Sequence, residues 1–233
     1  MLTKNNWIDT SRLAEATHEF YELQGDHPDL RLATPETIRS LSENAAKLIE
    51  LTYRIDSAEY GVSHPMVPSV FNNDTAKRLV ALEGQRYTHD GQPKILGTQY
   101  VPLELANNLH EMNSALLSEG GTPLLVQSGF RSPTYQAITF LRLLLKNSGN
   151  LSETVKRVAP PNRSEHGDCV NLAVDFMRPD IYGDDNDFEM SHLYPWLGKH
   201  AAKFGFSLSF PEGNPQGIDF EPWHWRFSSS SPR

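Results

Sequence analysis

The sequence of 233 residues contains a single cysteine, Cys169, and has no excess of positive charge. One cysteine excludes an internal disulfide framework and a cysteine-rich structural zinc site. Lysine and arginine together number 21 against 29 aspartate and glutamate residues, which gives a net charge of −8. Because no basic run and no alternation of basic and aromatic residues is present, the sequence predicts no nucleic-acid partner.

Long apolar segments are also missing. No stretch approaches the roughly 18 apolar residues of a membrane span. The first residues, Met1 to Trp7, lack the apolar run of about 7 to 15 residues that a signal peptide needs. We therefore expect a chain without a membrane span that begins in the cytoplasm.

The length is sufficient for one sizeable core with an appended segment. We expect a helical N-terminal extension over residues 1–75 and one larger domain over residues 76–227. The serine-rich tail, residues 228–233, is predicted to be disordered.

Hydrophobic periodicity and turn residues predict the elements of this chain. Thr34-Pro35-Glu36 is expected to open a helix in the extension, and residues 60–99 read as irregular with at most one short helix. Further helices are predicted from Pro102 and from Ser132-Pro133. Strands are predicted over residues 123–126, 172–176, 206–210 and 223–227. This order predicts an α+β fold, with a small antiparallel sheet and flanking helices.

Three short motifs carry the side chains of a catalytic zinc site. They are Ser164-Glu165-His166, Ala173-Val174-Asp175 and Glu221-Pro222-Trp223-His224. Three protein ligands leave one position of a tetrahedral Zn²⁺ for water, and a spare carboxylate can accept a proton from that water. We predict that His166, Asp175 and His224 bind Zn²⁺ and that Glu221 is the general base. Such a site favours hydrolysis of an amide.

These motifs resemble those of the zinc D-alanyl-D-alanine carboxypeptidases of the VanY type, which are relatives of the hedgehog fold. The stretches Ser128-Gly129-Phe130-Arg131-Ser132 and Phe204-Gly205-Phe206 through Gly213 are also similar to that family. The resemblance extends from about Tyr100 to Phe227. It implies a hedgehog/DD-peptidase-like fold, Zn²⁺ as the cofactor, and a peptidoglycan stem peptide or its precursor as the substrate. Such a substrate in the cell envelope would require export by a route other than a signal peptide.

The sequence departs from the family between the first two predicted ligands. His166 and Asp175 lie nine positions apart, about two more than in the resembling proteins. A loop can accept two extra residues at little entropic cost. The insertion also brings Asp168 and Cys169 toward the predicted metal, where either is an alternative ligand.

The remaining predicted site residues concern the general base and the substrate. Pro222 interrupts the strand before His224, so that Glu221 can lie on the preceding turn and face the same site. Arg131 precedes the Ser132-Pro133 helix, and its guanidinium can hold a terminal carboxylate or stabilise an oxyanion. Ser164 and Gln136 occupy positions that, in the resembling proteins, help to hold the terminal D-alanine.

The resemblance implies removal of the terminal D-alanine by a D,D-carboxypeptidase. An L,D-carboxypeptidase or a D,D-dipeptidase would use the same site, and a phage-type endopeptidase is a further alternative. The fold can also carry zinc in a peptidoglycan-binding module without hydrolysis, although such a module has no need for Glu221. The sequence makes no prediction of the oligomeric state.

Overall fold

The computed structural model describes residues 9–26, 29–38, 40–67, 73–180 and 186–229. The chain forms two compact units. The helical unit contains the described residues of 1–71, 131–167 and 213–219, and the sheet unit contains those of 72–130, 168–212 and 220–233. The division into an extension over 1–75 and a domain over 76–227 stays a prediction. Of the predicted disordered tail, residues 230–233 lie outside the described residues.

The helical unit is built from four α-helices and three short 3-10 helices among its described residues. The α-helices are α1 (Thr10–Asp26), α2 (Glu43–Thr52), α5 (Pro133–Lys146) and α6 (Leu151–Val155). The 3-10 helices are Leu30–Leu32, Ser57–Tyr60 and Glu165–Gly167. Helices α1, α2 and α5 pack against one another, and their buried side chains include Leu13, Phe20, Leu48, Ile138 and Leu141.

The prediction that a helix of the extension starts at Thr34 is wrong. Thr34 lies in a turn in which its backbone N–H donates to the Thr37 hydroxyl at 3.0 Å. The helix starts at Glu43 instead, because the Ser42 side chain accepts a hydrogen bond from the Ala45 N–H at 3.2 Å and acts as the N-cap. The other predicted cap is present: the Ser132 hydroxyl accepts from the Tyr135 N–H, and Pro133 opens α5.

The sheet unit contains all the strands of the described residues. The strands are β1 (Leu79–Leu82), β2 (Arg86–His89), β3 (Gln92–Ile95), β4 (Gln99–Pro102), β5 (Leu125–Ser128), β6 (Ala173–Met177), β7 (Phe206–Leu208) and β8 (His224–Phe227). Its helices are α3 (Asn73–Ala76), α4 (Leu103–Ser118), α7 (Asn186–Glu189) and α8 (Leu193–His200), with a 3-10 turn at Ala201–Phe204. The main sheet has the order β5-β6-β8-β7, and every pair is antiparallel. The predicted α+β class with a small antiparallel sheet is confirmed.

The expectation of an irregular region over residues 60–99 is wrong for its second half. Strand β1 pairs with β4, and β2 pairs with β3 through the turn at Asp90-Gly91. Both turn residues have positive φ, 51° and 71°, which is the geometry of a two-residue hairpin turn. The Asp-Gly pair was therefore a hairpin signal between strands too short to show clear alternation.

The register of the main sheet sets the positions of two predicted site residues. Asp175 of β6 lies directly opposite His224 of β8. Phe206 of β7 pairs with Phe227 of β8, and the Phe206 ring also meets the Phe176 ring at 5.5 Å. The Phe206 ring also lies 5.3 Å from the Phe227 ring, so aromatic packing links β6, β7 and β8. Among the described residues, no helix combines the length and the apolar character that crossing a membrane requires.

Candidate functional site

Asp175 and His224 form a buried pair in the sheet unit. Nδ1 of His224 lies 2.9 Å from Oδ1 of Asp175. His224 is 4% exposed and Asp175 is 9% exposed. Because these residues are register partners on adjacent antiparallel strands, their side chains project from the same face of the sheet. The sheet therefore presents one imidazole and one carboxylate at a single point.

Glu221 lies on the turn before β8, as Pro222 predicted. Its N–H donates to the Phe210 carbonyl at 3.2 Å, and its own carbonyl accepts from the His224 N–H at 3.0 Å. These backbone bonds bring the carboxylate back toward the imidazole, with Oε2 of Glu221 3.6 Å from Nδ1 of His224. The Glu221 side chain therefore shares a site with His224 although the two residues are three positions apart.

Two aromatic residues, Trp225 and Phe210, support the His224 region, and the role of Phe210 was not predicted from the sequence. Trp225 is 3% exposed, and its indole N–H donates to the Pro222 carbonyl at 2.9 Å, which fixes the turn. The Phe210 ring lies 4.9 Å from the His224 ring at 30°. Phe210 thus holds the imidazole with its ring and Glu221 with its carbonyl. Phe210 lies in the stretch that resembles the VanY family, and this resemblance was the signal that could have identified it.

The Asp168 side chain makes its contacts within the loop between His166 and β6 and with β8. Its Oδ1 accepts hydrogen bonds from the N–H groups of Val170 and Asn171, each at 2.9 Å. Its Oδ2 lies 3.2 Å from Nη2 of Arg226, and Nε of Arg226 donates to the Asn171 carbonyl. These contacts give Asp168 the role of fixing the loop to β8, which argues against the alternative of Asp168 as a ligand.

Cys169 has the properties of an unreactive thiol. Burial, helped by the charge of Asp168, raises the pKa of Cys169 to about 11, although Arg78 opposes the shift. A metal ligand must be the thiolate. A cation bound by Cys169 would therefore have to displace the thiol proton at neutral pH.

In the helical unit, His166 and Arg131 are joined through the backbone. His166 lies in the 3-10 helix Glu165–Gly167 and is 3% exposed. The Arg131 N–H donates to the His166 carbonyl at 2.9 Å. The Ser164 hydroxyl accepts from the His166 N–H at 3.3 Å. The predicted first ligand and two predicted substrate-binding residues therefore lie together in this unit.

Gln136 holds the Arg131 side chain. Its Oε1 accepts from Nη1 of Arg131 at 3.4 Å, and its Nε2 donates to the Ala159 carbonyl at 2.8 Å. Since Gln136 is 2% exposed, its amide orientation is fixed and it directs the guanidinium. The substrate-binding roles of Gln136, Ser164 and Arg131 stay predictions.

Several solved structures share the fold of this chain. The LD-carboxypeptidase LdcB is 24% identical, over 71% of this chain and 74% of that protein, with a TM-score of 0.53. The vancomycin resistance D,D-dipeptidase VanXYg, in complex with a D-Ala-D-Ala phosphinate analog, is 22% identical, over 74% of this chain and 65% of that protein, with a TM-score of 0.51. At these identities, the similarity establishes the fold alone.

A family profile gives the sequence-level assignment. No protein with a curated description matches the chain. The profile of the VanY family, described as D-alanyl-D-alanine carboxypeptidase, matches residues 98–230. The match covers more than half of the sequence and contains all seven predicted site residues. The chain therefore belongs to the VanY family of D-alanyl-D-alanine carboxypeptidases.

Proposed function

We propose that the protein is a zinc-dependent D,D-carboxypeptidase that removes the terminal D-alanine from peptidoglycan stem peptides or their precursors. VanY family members are zinc metallopeptidases. The observation that carries the proposal is the buried Asp175–His224 pair with the Glu221 carboxylate beside it. An imidazole and two carboxylates in this arrangement supply two metal ligands and one base.

We assign His166, Asp175 and His224 as the zinc ligands. Two imidazoles and one carboxylate are a donor set that suits Zn²⁺. The chemistry of the sheet unit fits this assignment, because a buried carboxylate and imidazole can both turn their lone pairs to one cation. Zinc bound there would polarise the substrate carbonyl and activate water.

Glu221 is the proposed general base and acid. Its carboxylate accepts the proton of the attacking water, and the water oxygen bonds to the carbonyl carbon before the terminal D-alanine. The C–N bond of that amide then breaks, and Glu221 returns the proton to the leaving amine. Glu221 can serve both steps because the turn at Pro222 holds it beside His224.

Arg131 is the proposed binding residue for the free C-terminus. Its planar guanidinium can donate two parallel hydrogen bonds to a carboxylate. Gln136 orients this side chain through its Oε1, which reduces the entropy lost when the substrate binds. Ser164 and Gln136 are the further proposed substrate contacts.

The test is a product assay on synthetic stem peptides of three, four and five residues, followed by mass spectrometry with and without a chelator. We expect release of one D-alanine from the pentapeptide alone, loss of this activity with the chelator, and recovery on adding Zn²⁺. Cleavage of the tetrapeptide would instead identify an L,D-carboxypeptidase, and cleavage of free D-Ala-D-Ala a dipeptidase. No cleavage of any peptide by the zinc-loaded protein would leave the endopeptidase and the peptidoglycan-binding module as the surviving alternatives.

The ligand assignment has a separate test. Single alanine substitutions at the three ligands should each remove bound zinc, because a site with two ligands is weak. The matched control is Asp90→Ala, which removes a carboxylate on the turn between β2 and β3 and should keep zinc. Asp168→Ala should keep zinc as well if Asp168 only pairs with Arg226 and is not a ligand. A variant that lacks all three ligands and still keeps one zinc per chain would refute the assignment.

A further inference from the structure

The loop Gly213–Asp219 precedes Glu221 in the chain. Within the helical unit, this loop packs on residues 61–67, which are distant from it in sequence. The Ser63 N–H donates to the Gln216 carbonyl at 2.8 Å. Residues 61–67 precede the region that matches the VanY profile. The contact therefore connects a part of the chain outside the family match with the loop before the proposed base.

The two backbones come close together at Gly217. A Cβ atom placed on Gly217 would lie 2.6 Å from the Gly61 carbonyl oxygen, a distance that real Cβ atoms essentially never show. Gly217 also has φ of +72°. Only glycine fits at this position without moving one of the two backbones.

The segment Gly61–Val67 is itself held firmly within the helical unit. His64 is 7% exposed, and its Nε2 lies 2.7 Å from the Val155 carbonyl oxygen. The Val67 N–H donates to the Asn162 carbonyl at 3.0 Å, and Nη1 of Arg163 lies 3.4 Å from the His64 carbonyl oxygen. The segment is therefore a well-anchored surface for the loop to pack on.

The loop is closed on itself and anchored at its end. Nδ2 of Asn214 donates to the Ile218 carbonyl at 2.7 Å, and Oδ1 of Asn214 accepts from the Ile218 N–H at 3.3 Å. The Asp219 N–H donates to the Lys156 carbonyl at 3.0 Å. Glu221 follows Asp219 by two residues, so the chain keeps its Cα within about 7 Å of the anchored end of the loop.

We propose that Gly61–Val67 is a positioning element for Glu221: by docking the loop Gly213–Asp219, it sets the point from which the chain enters the catalytic turn. This inference rests on the proposed role of Glu221 as the base. A general base must lie within hydrogen-bond reach of the proton it accepts, and a misplacement of about 1 Å can slow a reaction about 10²-fold. Part of the chain ahead of the family match thus contributes to catalysis without touching the substrate.

The experiment compares Gly217→Ala with Gly213→Ala. Both glycines have positive φ in the same loop, +72° and +68°, but a Cβ on Gly213 meets nothing within 4 Å. Both variants therefore carry the left-handed strain, and only Gly217→Ala pushes the loop from Gly61. The measurements are hydrogen exchange of the Ser63 amide, zinc content, and kcat and KM for the pentapeptide.

We expect faster exchange of the Ser63 amide in Gly217→Ala alone, with zinc content and KM equal in the two variants. The kcat of Gly217→Ala should be about 10- to 100-fold below that of Gly213→Ala. A general loss of structure would lower zinc content as well and would not separate kcat from KM.

If Gly217→Ala does not fold, Ser63→Pro can replace it, because proline lacks the N–H that donates to the Gln216 carbonyl. Ser63→Ala keeps this N–H and is the control. Equal kcat in the two glycine variants despite faster Ser63 exchange would overturn the inference. Equal Ser63 exchange would overturn it as well, even if the wild-type protein cleaves no peptide. The absence of wild-type cleavage would by itself refute the proposed function, so the two failures are distinguishable.

Discussion

The substitution Glu221→Gln separates a general base from a metal ligand. The amide keeps the size of the side chain but cannot accept the proton of the attacking water. The backbone bonds of Glu221 to Phe210 and His224 do not involve the side chain, so the turn should remain folded. The Glu221 carboxylate lies 3.6 Å from Nδ1 of His224, outside normal hydrogen-bond length, and its loss should leave His224 in place.

The expected effect is large and confined to turnover. A positioned general base contributes about 10²- to 10⁴-fold to the rate, which corresponds to about 2.7 to 5.4 kcal/mol of activation free energy. We therefore expect kcat for the pentapeptide to fall by this factor while the zinc content and the melting temperature change little. Glu212→Gln is the control, because it makes the same chemical change at an exposed position shortly before this turn.

The assay measures D-alanine release at saturating peptide, with zinc determined by elemental analysis on the same samples. Loss of zinc from Glu221→Gln would make Glu221 a ligand and would point first to Asp175 as the wrong assignment, because its spacing from His166 is unusual. An unchanged kcat would refute the base role outright.

Three further predictions concern single side chains. Arg131→Lys keeps the charge but loses the planar guanidinium, so KM for the pentapeptide should rise roughly 10- to 150-fold, which corresponds to 1.5 to 3 kcal/mol. The wild-type protein should show the same rise in KM on a C-terminally amidated peptide. Equal cleavage of free and amidated peptides would favour an endopeptidase. Burial lowers the pKa of His64 below its usual value, so the unfolded chain binds more protons and the free energy of unfolding should fall as the pH drops below about 6.5. Urea unfolding should show a weaker pH dependence for His64→Gln than for the exposed control His110→Gln, and parallel curves would contradict this. The Cys169 thiol, with a pKa of about 11, should react with iodoacetamide at pH 7 far more slowly in native than in unfolded protein, and equal rates would show that it is accessible and ionised.

The sequence predicted the parts of this molecule that depend on local pattern. The cap at Ser132-Pro133 identified the start of α5, the alternation over residues 206–210 identified β7, and Pro222 indicated where β8 begins. The position of Glu221 near His224 could be predicted because Pro222 lacks a backbone N–H and therefore interrupts the strand, which is a local property of the sequence. These features need no knowledge of distant residues.

The features that the sequence did not predict depend on distant partners. The bond between the Ser63 N–H and the Gln216 carbonyl joins two backbone groups that every residue except proline carries, so no residue type marks it in advance. The contact of Asp168 with Arg226 joins side chains 58 positions apart, and only the folded strands bring them together. The strands before Gln99 were missed because each is four residues long and shows too few alternations.

The opposed positions of Asp175 and His224 on neighbouring antiparallel strands have a consequence for how this protein tolerates insertions and deletions. Side chains alternate between the two faces of a sheet, so losing one residue within Ala173–Asp175 would turn Asp175 away from His224. Losing one residue from the loop before β6 would leave the register of β6 and β8 unchanged, because the loop is not paired in the sheet. Arg226 of β8 contacts Asp168 and Asn171 of this loop. Insertions and deletions among relatives of this protein should therefore lie between His166 and Leu172 and be absent from β6.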